Sequence, residues 1–389
     1  MRGKSDDDIL RYRILCDRLR KALSHFDAAT IATTHGFCQE VLGGLGISGD
    51  VEPDTTLVEE VDELLEEVVD DLYVRRFFRS GNAQFSRAEA LAIAKVAVAN
   101  PTTRLEPAGA PPESIAAMRV RLAEVVRDEL DARKRRAGLM TYDDLLTRLR
   151  DTLRGDGGPE AIARLRSRYS VVLVDEFQDT DPVQWEIMRR AFGEGEGAVT
   201  LVLIGDPKQA IYAFRGADVY AYLQAADAAG TRATLATNWR SDQGLIEAYD
   251  AMFGGARLGH EGIVYRQVSA APSNVEPRLS GAPVDAPLRV RVVHREEPSI
   301  VVTRHGYASN APARAHVAQD LAADLVALLS SAAEVEIRHD AGEVLRREGI
   351  RPGHVAVLVR THRNASLVRD ALDVAGIPAV INGAGSVFG

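Results

Sequence analysis

Two carboxylates stand side by side at the end of a short apolar run, where Val171-Val172-Leu173-Val174 leads into Asp175-Glu176-Phe177-Gln178-Asp179. In open α/β sheets ligands bind outside the carboxyl ends of the strands, so adjacent acids placed there suit a metal ion and a water better than they suit packing. The segment reads as a Walker B element, in which Asp175 holds Mg²⁺, directly or through water, and Glu176 polarises the water that attacks a γ-phosphate. A bare strand end with two acids also serves to cap the next helix. The seven-residue extension over 177–183 weighs against that simpler use.

A second apolar run, Leu201-Val202-Leu203-Ile204, ends in Gly205-Asp206-Pro207-Lys208-Gln209. Gln209 both donates and accepts hydrogen bonds, which suits sensing a phosphate oxygen or an attacking water. Just beyond it, Tyr212, Phe214 and Arg215 interleave two aromatic rings with a guanidinium. That is the composition of a platform on which unpaired bases stack, although two aromatics at this spacing also serve a core. Their place directly after Gln209 favours the platform. Further on, Thr237-Asn238-Trp239-Arg240-Ser241 follows the short strand-like stretch 233–236. An arginine at the end of an element supplies charge to a transferring phosphoryl group, or serves as an ordinary surface residue; Arg240 gains its weight from the company of the other two segments.

The elements that must position these residues follow from pattern. The two apolar runs are short, continuous and flanked by helical segments, as buried parallel strands are, which implies an alternating α/β architecture with a doubly wound sheet. Residues 50–71 hold eleven acidic side chains and no basic one, while Leu57, Val61, Leu64, Leu65, Val68 and Leu72 recur at helical spacing. This predicts an amphipathic helix with an acidic outer face. Helical pattern over 86–99 and 113–136 makes the whole of 50–136 all-helical, ending in the basic cluster Arg133-Lys134-Arg135-Arg136. Thr141 followed by Asp144 reads as a helix N-cap and is assigned no chemistry. Residues 267–312, with six prolines, form an irregular connection holding one strand-like stretch at 288–293. A second α/β unit follows, with helices over 313–330 and 364–374 and strands over 354–359 and 379–381.

Composition sets the outer limits. The 389 residues favour two or three domains, and 46% hydrophobic with 26% charged residues is ordinary for a globular chain, which excludes disordered, collagenous and coiled-coil classes. With 47 basic and 56 acidic residues the net charge of −9 argues against a uniformly basic coat but leaves room for a local basic groove on nucleic acid. Cys16 and Cys38 stand alone, without the neighbours of a zinc site or a disulfide framework. No signal-like or membrane-spanning apolar run is present, so a cytoplasmic location is expected.

Taken together, the segments at 174–183, 204–218 and 238–241 resemble motifs II, III and IV of superfamily 1 DNA helicases of the UvrD/RecB type, in that order. Within that group the string from Gly205 through Asp218 is most similar to the RecB-type subunits of exonuclease V. Thr33-Thr34-His35-Gly36-Phe37-Cys38 is similar to the DNA-contacting motif Ib, and Val357-Leu358-Val359-Arg360-Thr361 to a later DNA-contacting segment; His362 stands where relatives often carry Asn. The resemblance implies a RecA-like P-loop motor domain from 1–49 and 137–245, a helical insertion at 50–136 whose basic cluster would meet duplex, and part of a second RecA-like domain at 246–389. It implies ATP and Mg²⁺ as cofactors, Gln209 and Arg240 on the γ-phosphate, and Thr33, His35, Tyr212, Phe214, Arg215 and Arg360 along a single-strand track. Single-stranded DNA, double-stranded DNA ends and RecC-like and RecD-like subunits are the implied partners, in an ATP-dependent 3′ to 5′ helicase acting in break repair.

A motor of this kind needs a phosphate-cradling loop, Gly-x-x-x-x-Gly-Lys-Ser/Thr. Gly3-Lys4-Ser5 lacks the upstream strand and first glycine and is followed by three Asp residues, so it is read as a chance match. With motifs V and VI also unmatched, the expectation is an internal slice of a longer helicase polypeptide, inactive in ATP turnover by itself. The alternative is a non-catalytic DNA-binding or assembly module that keeps the single-strand platform.

Overall fold

In the computed structural model the described residues are 6–45, 55–77, 83–101, 103–195, 199–213 and 216–382. Gly3-Lys4-Ser5, Phe214 and Arg215 lie outside them. The chain divides into two compact units, 1–229 and 230–389.

The first unit runs α1 (Asp6–Ser24), α2 (Thr34–Leu45), β1 (Thr56–Val58), α3 (Asp62–Phe77), α4 (Arg87–Ala99), α5 (Ile115–Arg136), β2 (Leu139–Thr141), α6 (Tyr142–Arg154), α7 (Gly158–Arg168), β3 (Val171–Val174), α8 (Pro182–Met188), β4 (Thr200–Leu203) and α9 (Val219–Ala228). Helices α3, α4 and α5 pack around their own core of Leu65, Val68, Val69, Ala90, Ala94, Val126 and Leu130. Alanines on α4 bring its backbone close to both neighbours. Ser86 and Glu89 close a capping box at its start, which satisfies amide groups that the first turn leaves without partners. The acidic face of α3 is engaged by α4, with Arg87 on Asp70 at 2.5 Å and Lys95 on Asp62 at 3.1 Å. Such exposed pairs contribute little each.

The all-helical expectation for 50–136 needs one correction: Leu57 lies in strand β1, and the acidic helix begins at Asp62. β1 pairs in parallel with β2, Thr56 opposite Leu139 and Val58 opposite Thr141, so the chain enters and leaves the helical segment at one place. The ladder claims the backbone of 56–58 before a helical turn can.

The larger core of this unit gathers Leu145, Leu146, Leu149 and Leu153 from one face of α6, with Val41 and Leu42 from α2 and Trp185, Ile187 and Met188 from α8. Strands β3 and β4 pair in parallel, Val171 opposite Thr200 and Val174 opposite Leu203. They were expected to be buried on both faces, and they are not. Val172, Val174, Leu201 and Leu203 pack on the core, whereas Val171 and Leu173 are 57% and 65% exposed. Side chains alternate across a strand, and helices of the described chain cover only one face of this pair.

The second unit contains β5 (Thr237–Asn238), α10 (Gln243–Phe253), β6 (Ser269–Ala270), β7 (Leu279–Ser280), α11 (Asn310–Leu329), β8 (Glu334–Arg338), β9 (Val344–Gly349) and α12 (His362–Val374). The two long helices match expectation and pack through Leu325 and Leu372. Stretches 233–236, 288–293, 354–359 and 379–381 were expected to be strands but form no strand ladder among the described residues. An apolar run becomes a strand only where another strand satisfies its amides and carbonyls. The antiparallel sheet β7-β8-β9 was not foreseen; its middle strand alternates Val335 and Ile337 with charged residues.

Candidate functional site

At the end of β3 the ladder runs one step past both strands. Ile204 N–H donates to Val174 O and Phe177 N–H donates to Ile204 O, each at 2.8 Å, so the acidic pair is pinned beside the end of β4. Glu176 turns the chain in the left-handed region, φ 50° and ψ 40°. That conformation costs a non-glycine residue about 1–3 kcal/mol and persists where surrounding contacts over-determine it. Here they do. Asp175 Oδ1 accepts the Glu176 N–H at 3.0 Å, and Glu176 O accepts the Asp179 N–H at 2.9 Å. Phe177, 1% exposed, anchors the turn against Trp185 at 5.4 Å and Tyr222 at 6.0 Å between ring centroids. Both carboxylates of Asp175 and Glu176 face solvent.

Behind them lies a side chain that the sequence patterns did not single out. Gln178 is 1% exposed; its Nε2 donates to Glu176 Oε2 at 2.6 Å, and its Oε1 accepts the Asp206 N–H at 2.9 Å. A glutamine inside an acidic string carries no signal of its own in sequence. Asp179 follows with one carboxylate oxygen, Oδ1, buried and without a partner among the described residues. Burial, then the charge of Glu176, raises its pKa.

The loop after β4 is organised by Asp206. Its carboxylate accepts the Lys208 N–H at 3.1 Å, the Lys208 Nζ at 2.7 Å and the Gln209 Nε2 at 3.3 Å. Burial alone would raise the pKa of Asp206; the Lys208 side chain and amide together bring it below the ordinary value. Gln209 is exposed, three residues from Tyr212, which is also exposed. The structure therefore brings Asp175, Glu176 and Gln209 to the ends of two paired strands. Phe214 and Arg215 lie outside the described residues.

Thr33 acts locally in the fold. Its Oγ1 accepts the Gly36 N–H at 3.1 Å and its carbonyl the Phe37 N–H at 2.9 Å, which starts α2. His35 meets Tyr142 edge-on at 5.3 Å. It also lies within electrostatic reach of Asp181, whose pKa burial raises and whose carboxylate caps α8 through the Val183 and Gln184 amides. Cys38 follows on the same helix, 0% exposed, with its thiol pushed up to about 12 by burial and then by the charge of Asp181. In the second unit, Arg240 stands two residues past the end of β5, its N–H donating to Asn238 Oδ1 at 2.8 Å, and Arg360 is exposed just before the cap of α12 at Thr361.

The basic cluster 133–136 is spoken for within the chain. Arg133 holds Asp71 and Glu129, Arg135 holds Asp131, and Arg136 holds Glu129. Lys134, buried, sits on Asp144 at 2.5 and 2.7 Å. Thr141 and Asp144 do form the expected capping box.

Among the described residues no three acidic, histidine or cysteine side chains gather around one point as a cage for an ion. Mg²⁺ is commonly held by one or two carboxylates together with substrate phosphates, and a single exposed carboxylate at a strand end fits an ion that arrives with a nucleotide. No helix among the described residues is long and apolar enough to cross a membrane.

The arrangement is a mixed α/β fold with an acidic pair at paired parallel strand ends. The chain belongs to the UvrD/REP helicase family: residues 10–229 match the UvrD/REP helicase N-terminal domain. It is 47% identical over 99% of its length to the RecBCD enzyme subunit RecB of Mycolicibacterium smegmatis, and covers 34% of that protein. It is 44% identical over 95% of its length to the RecB subunit of Mycobacterium tuberculosis H37Rv, covering 32%, and 34% identical over 69% to that of Escherichia coli K12, covering 22%. The chain thus spans about a third or less of the length of these relatives.

Proposed function

We propose that this chain supplies motor elements of an ATP-dependent 3′ to 5′ DNA helicase subunit of the RecB type, acting in the cytoplasm on double-strand ends with RecC-like and RecD-like subunits. The carrying observation is the acidic pair Asp175-Glu176 held beside Asp206 and Gln209 at the ends of β3 and β4, in a chain 47% identical to a RecB subunit over nearly all its length. In this reading residues 1–49 and 137–245 are RecA-like, 50–136 an insertion, and 246–389 part of a second RecA-like domain. Turnover is proposed for the full-length gene product, not for these 389 residues alone.

Asp175 would hold the Mg²⁺ of a bound nucleotide, which supplies charge neutralisation between phosphate oxygens. Glu176, with Oε2 taken by Gln178, orients the attacking water through its other carboxylate oxygen and accepts its proton. Gln209 and Arg240 address the γ-phosphate. Thr33, His35, Tyr212, Phe214, Arg215 and Arg360 line the strand of unpaired DNA.

The test is Mg²⁺-dependent ATP hydrolysis by the full-length product, with and without single-stranded DNA, beside Glu176→Gln. Loss of a positioned general base lowers turnover about 10²- to 10⁴-fold, with DNA affinity retained. Wild-type rates in Glu176→Gln would refute the assignment. Absence of any DNA-stimulated turnover, with salt-sensitive single-strand binding, would instead support a DNA-binding or assembly module.

A further inference from the structure

We infer that Gln178 is a positioning residue that transmits the state of the DNA-facing loop after β4 to the carboxylate of Glu176. The inference rests on the functional reading above and adds to it a residue through which the two halves of the site act on each other.

A buried primary amide has one acceptor and two donors to satisfy, and leaving them unpaired is costly, so its partners fix its position. Gln178 spends both ends on the site. The donor end holds Glu176 Oε2 at 2.6 Å, short as expected for a bond to a charged oxygen; the acceptor end holds the Asp206 N–H at 2.9 Å. These two partners lie on different strand ends. Twenty-eight residues separate Gln178 from Asp206, and one side chain spans the gap.

What hangs on Asp206 is the loop itself. Its carboxylate gathers Lys208 and Gln209, and the chain proceeds from there to Tyr212. A base stacking on the loop cannot shift the Asp206 amide without moving the acceptor end of Gln178. Because the amide is rigid and enclosed, its donor end moves too, and with it the Glu176 carboxylate. The turn that carries Glu176 is already left-handed, so a displaced bond can change where its oxygens point.

Gly205 supports the same conclusion from the opposite side. A Cβ at this position would lie 2.7 Å from Gln178 Oε1 and 3.1 Å from the Gln178 and Phe177 amide nitrogens. The backbone before Asp206 approaches the Gln178 amide as closely as it does only because residue 205 has no side chain. Phe177 N–H to Ile204 O, at 2.8 Å, ties the two strand ends at the backbone, which leaves Gln178 as the adjustable connection between them.

The experiment uses the full-length gene product in its native complex. It compares wild type, Gln178→Ala, Gly205→Ala and the double variant for kcat with and without saturating single-stranded DNA, KM for ATP, Kd for single-stranded DNA and thermal midpoint. The ratio of DNA-stimulated to basal kcat should fall about tenfold or more in Gln178→Ala, the change one charge-assisted hydrogen bond can make. KM and Kd should stay within about twofold, because neither partner of Gln178 is a binding contact in this reading. Gly205→Ala should give the same split, and the double variant should be no worse than the more affected single one, since both act on one connection. If Gln178→Ala does not fold, Gln178→Met, similar in shape and without the hydrogen bonds, takes its place.

A stimulation ratio unchanged in the Gln178 variant of an active enzyme overturns the inference alone. So does a parallel loss of kcat, ATP binding, DNA binding and stability, which is what a purely structural glutamine would give. A wild-type complex without DNA-stimulated, Mg²⁺-dependent turnover overturns the functional reading and this inference with it.

Discussion

Removing one ammonium group from the base of the helical segment should destabilise the first unit far more than removing any of its neighbours. Lys134 and Asp144 have side chains only 10% and 21% exposed, and Nζ sits 2.5 and 2.7 Å from the two carboxylate oxygens. The same carboxylate accepts the Thr141 N–H at 2.9 Å. Lys134→Met keeps the apolar stem and leaves the carboxylate with Thr141 alone, through its amide and its side chain. Breaking a buried ion pair costs about 3–5 kcal/mol; partial exposure of Asp144 and its surviving cap bond reduce this to about 2–3 kcal/mol. In a unit of this size the thermal midpoint should fall by about 4–12 °C. Arg135, one residue on and exposed with its partner Asp131 at 2.7 Å, is the control: Arg135→Ala should stay within about 0.5 kcal/mol. Burial by itself would raise the pKa of Asp144, but Lys134 and the Thr141 amide bring it below the ordinary 3.8. A depressed carboxyl contributes stability above its unfolded value and loses it as pH falls through the folded one. The gap between wild type and Lys134→Met should therefore be full near neutrality and close as pH drops below about 4. Equal midpoints for Lys134→Met and Arg135→Ala at pH 7, measured by thermal and urea unfolding, would refute the reasoning.

Two further outcomes follow from burial. Raising the Cys38 thiol from 9.0 to about 12 keeps it protonated in the fold while the unfolded chain ionises. Its contribution is whole below pH 9 and is lost as pH rises towards 12, at about 1.4 kcal/mol per pH unit, and Cys38→Ala should flatten that part of an alkaline unfolding curve. If the variant and wild type lose stability in parallel, the thiol is not the group responsible. Leu149, 0% exposed, should cost about 2–5 kcal/mol as Leu149→Ala, whereas Leu173→Ala, at 65% exposure, should cost about 0.5 kcal/mol or less. Comparable losses in urea unfolding would show that the outer face of β3 is covered in solution.

Several parts of this structure are legible in the sequence because their causes are local. Thr141 with Asp144 announces a helix start within four residues and α6 begins there, and the helical pattern over 86–99 is met by α4. The apolar runs at 171–174 and 201–204 each mark a strand, and strands form at 171–174 and 200–203. Other parts are not legible, for a common reason. Leu57 fits the helical spacing of its neighbours and still becomes a strand, because Met140, far along the chain, takes the place opposite it. The run at 354–359 is as apolar as β3 and pairs with nothing described. The basic cluster reads in sequence as a run of like charge, and only the fold supplies its acidic partners on α3, α5 and α6.

By itself the sequence determined which candidate residues the chain offers and in what order they come: the acidic pair, the amide and aromatic loop, the arginine. Each is defined by side-chain type and by spacing along a few residues, and both are properties of the chain before it folds. Tertiary structure decided which of them are brought side by side. It set the Glu176 carboxylate and the Asp206 amide on opposite ends of one buried glutamine, turned one face of β3 outward, and committed Lys134 to Asp144. Those outcomes depend on contacts between segments distant in sequence. Such contacts are selected by packing and by the need to satisfy every buried polar group, which no single segment can specify alone.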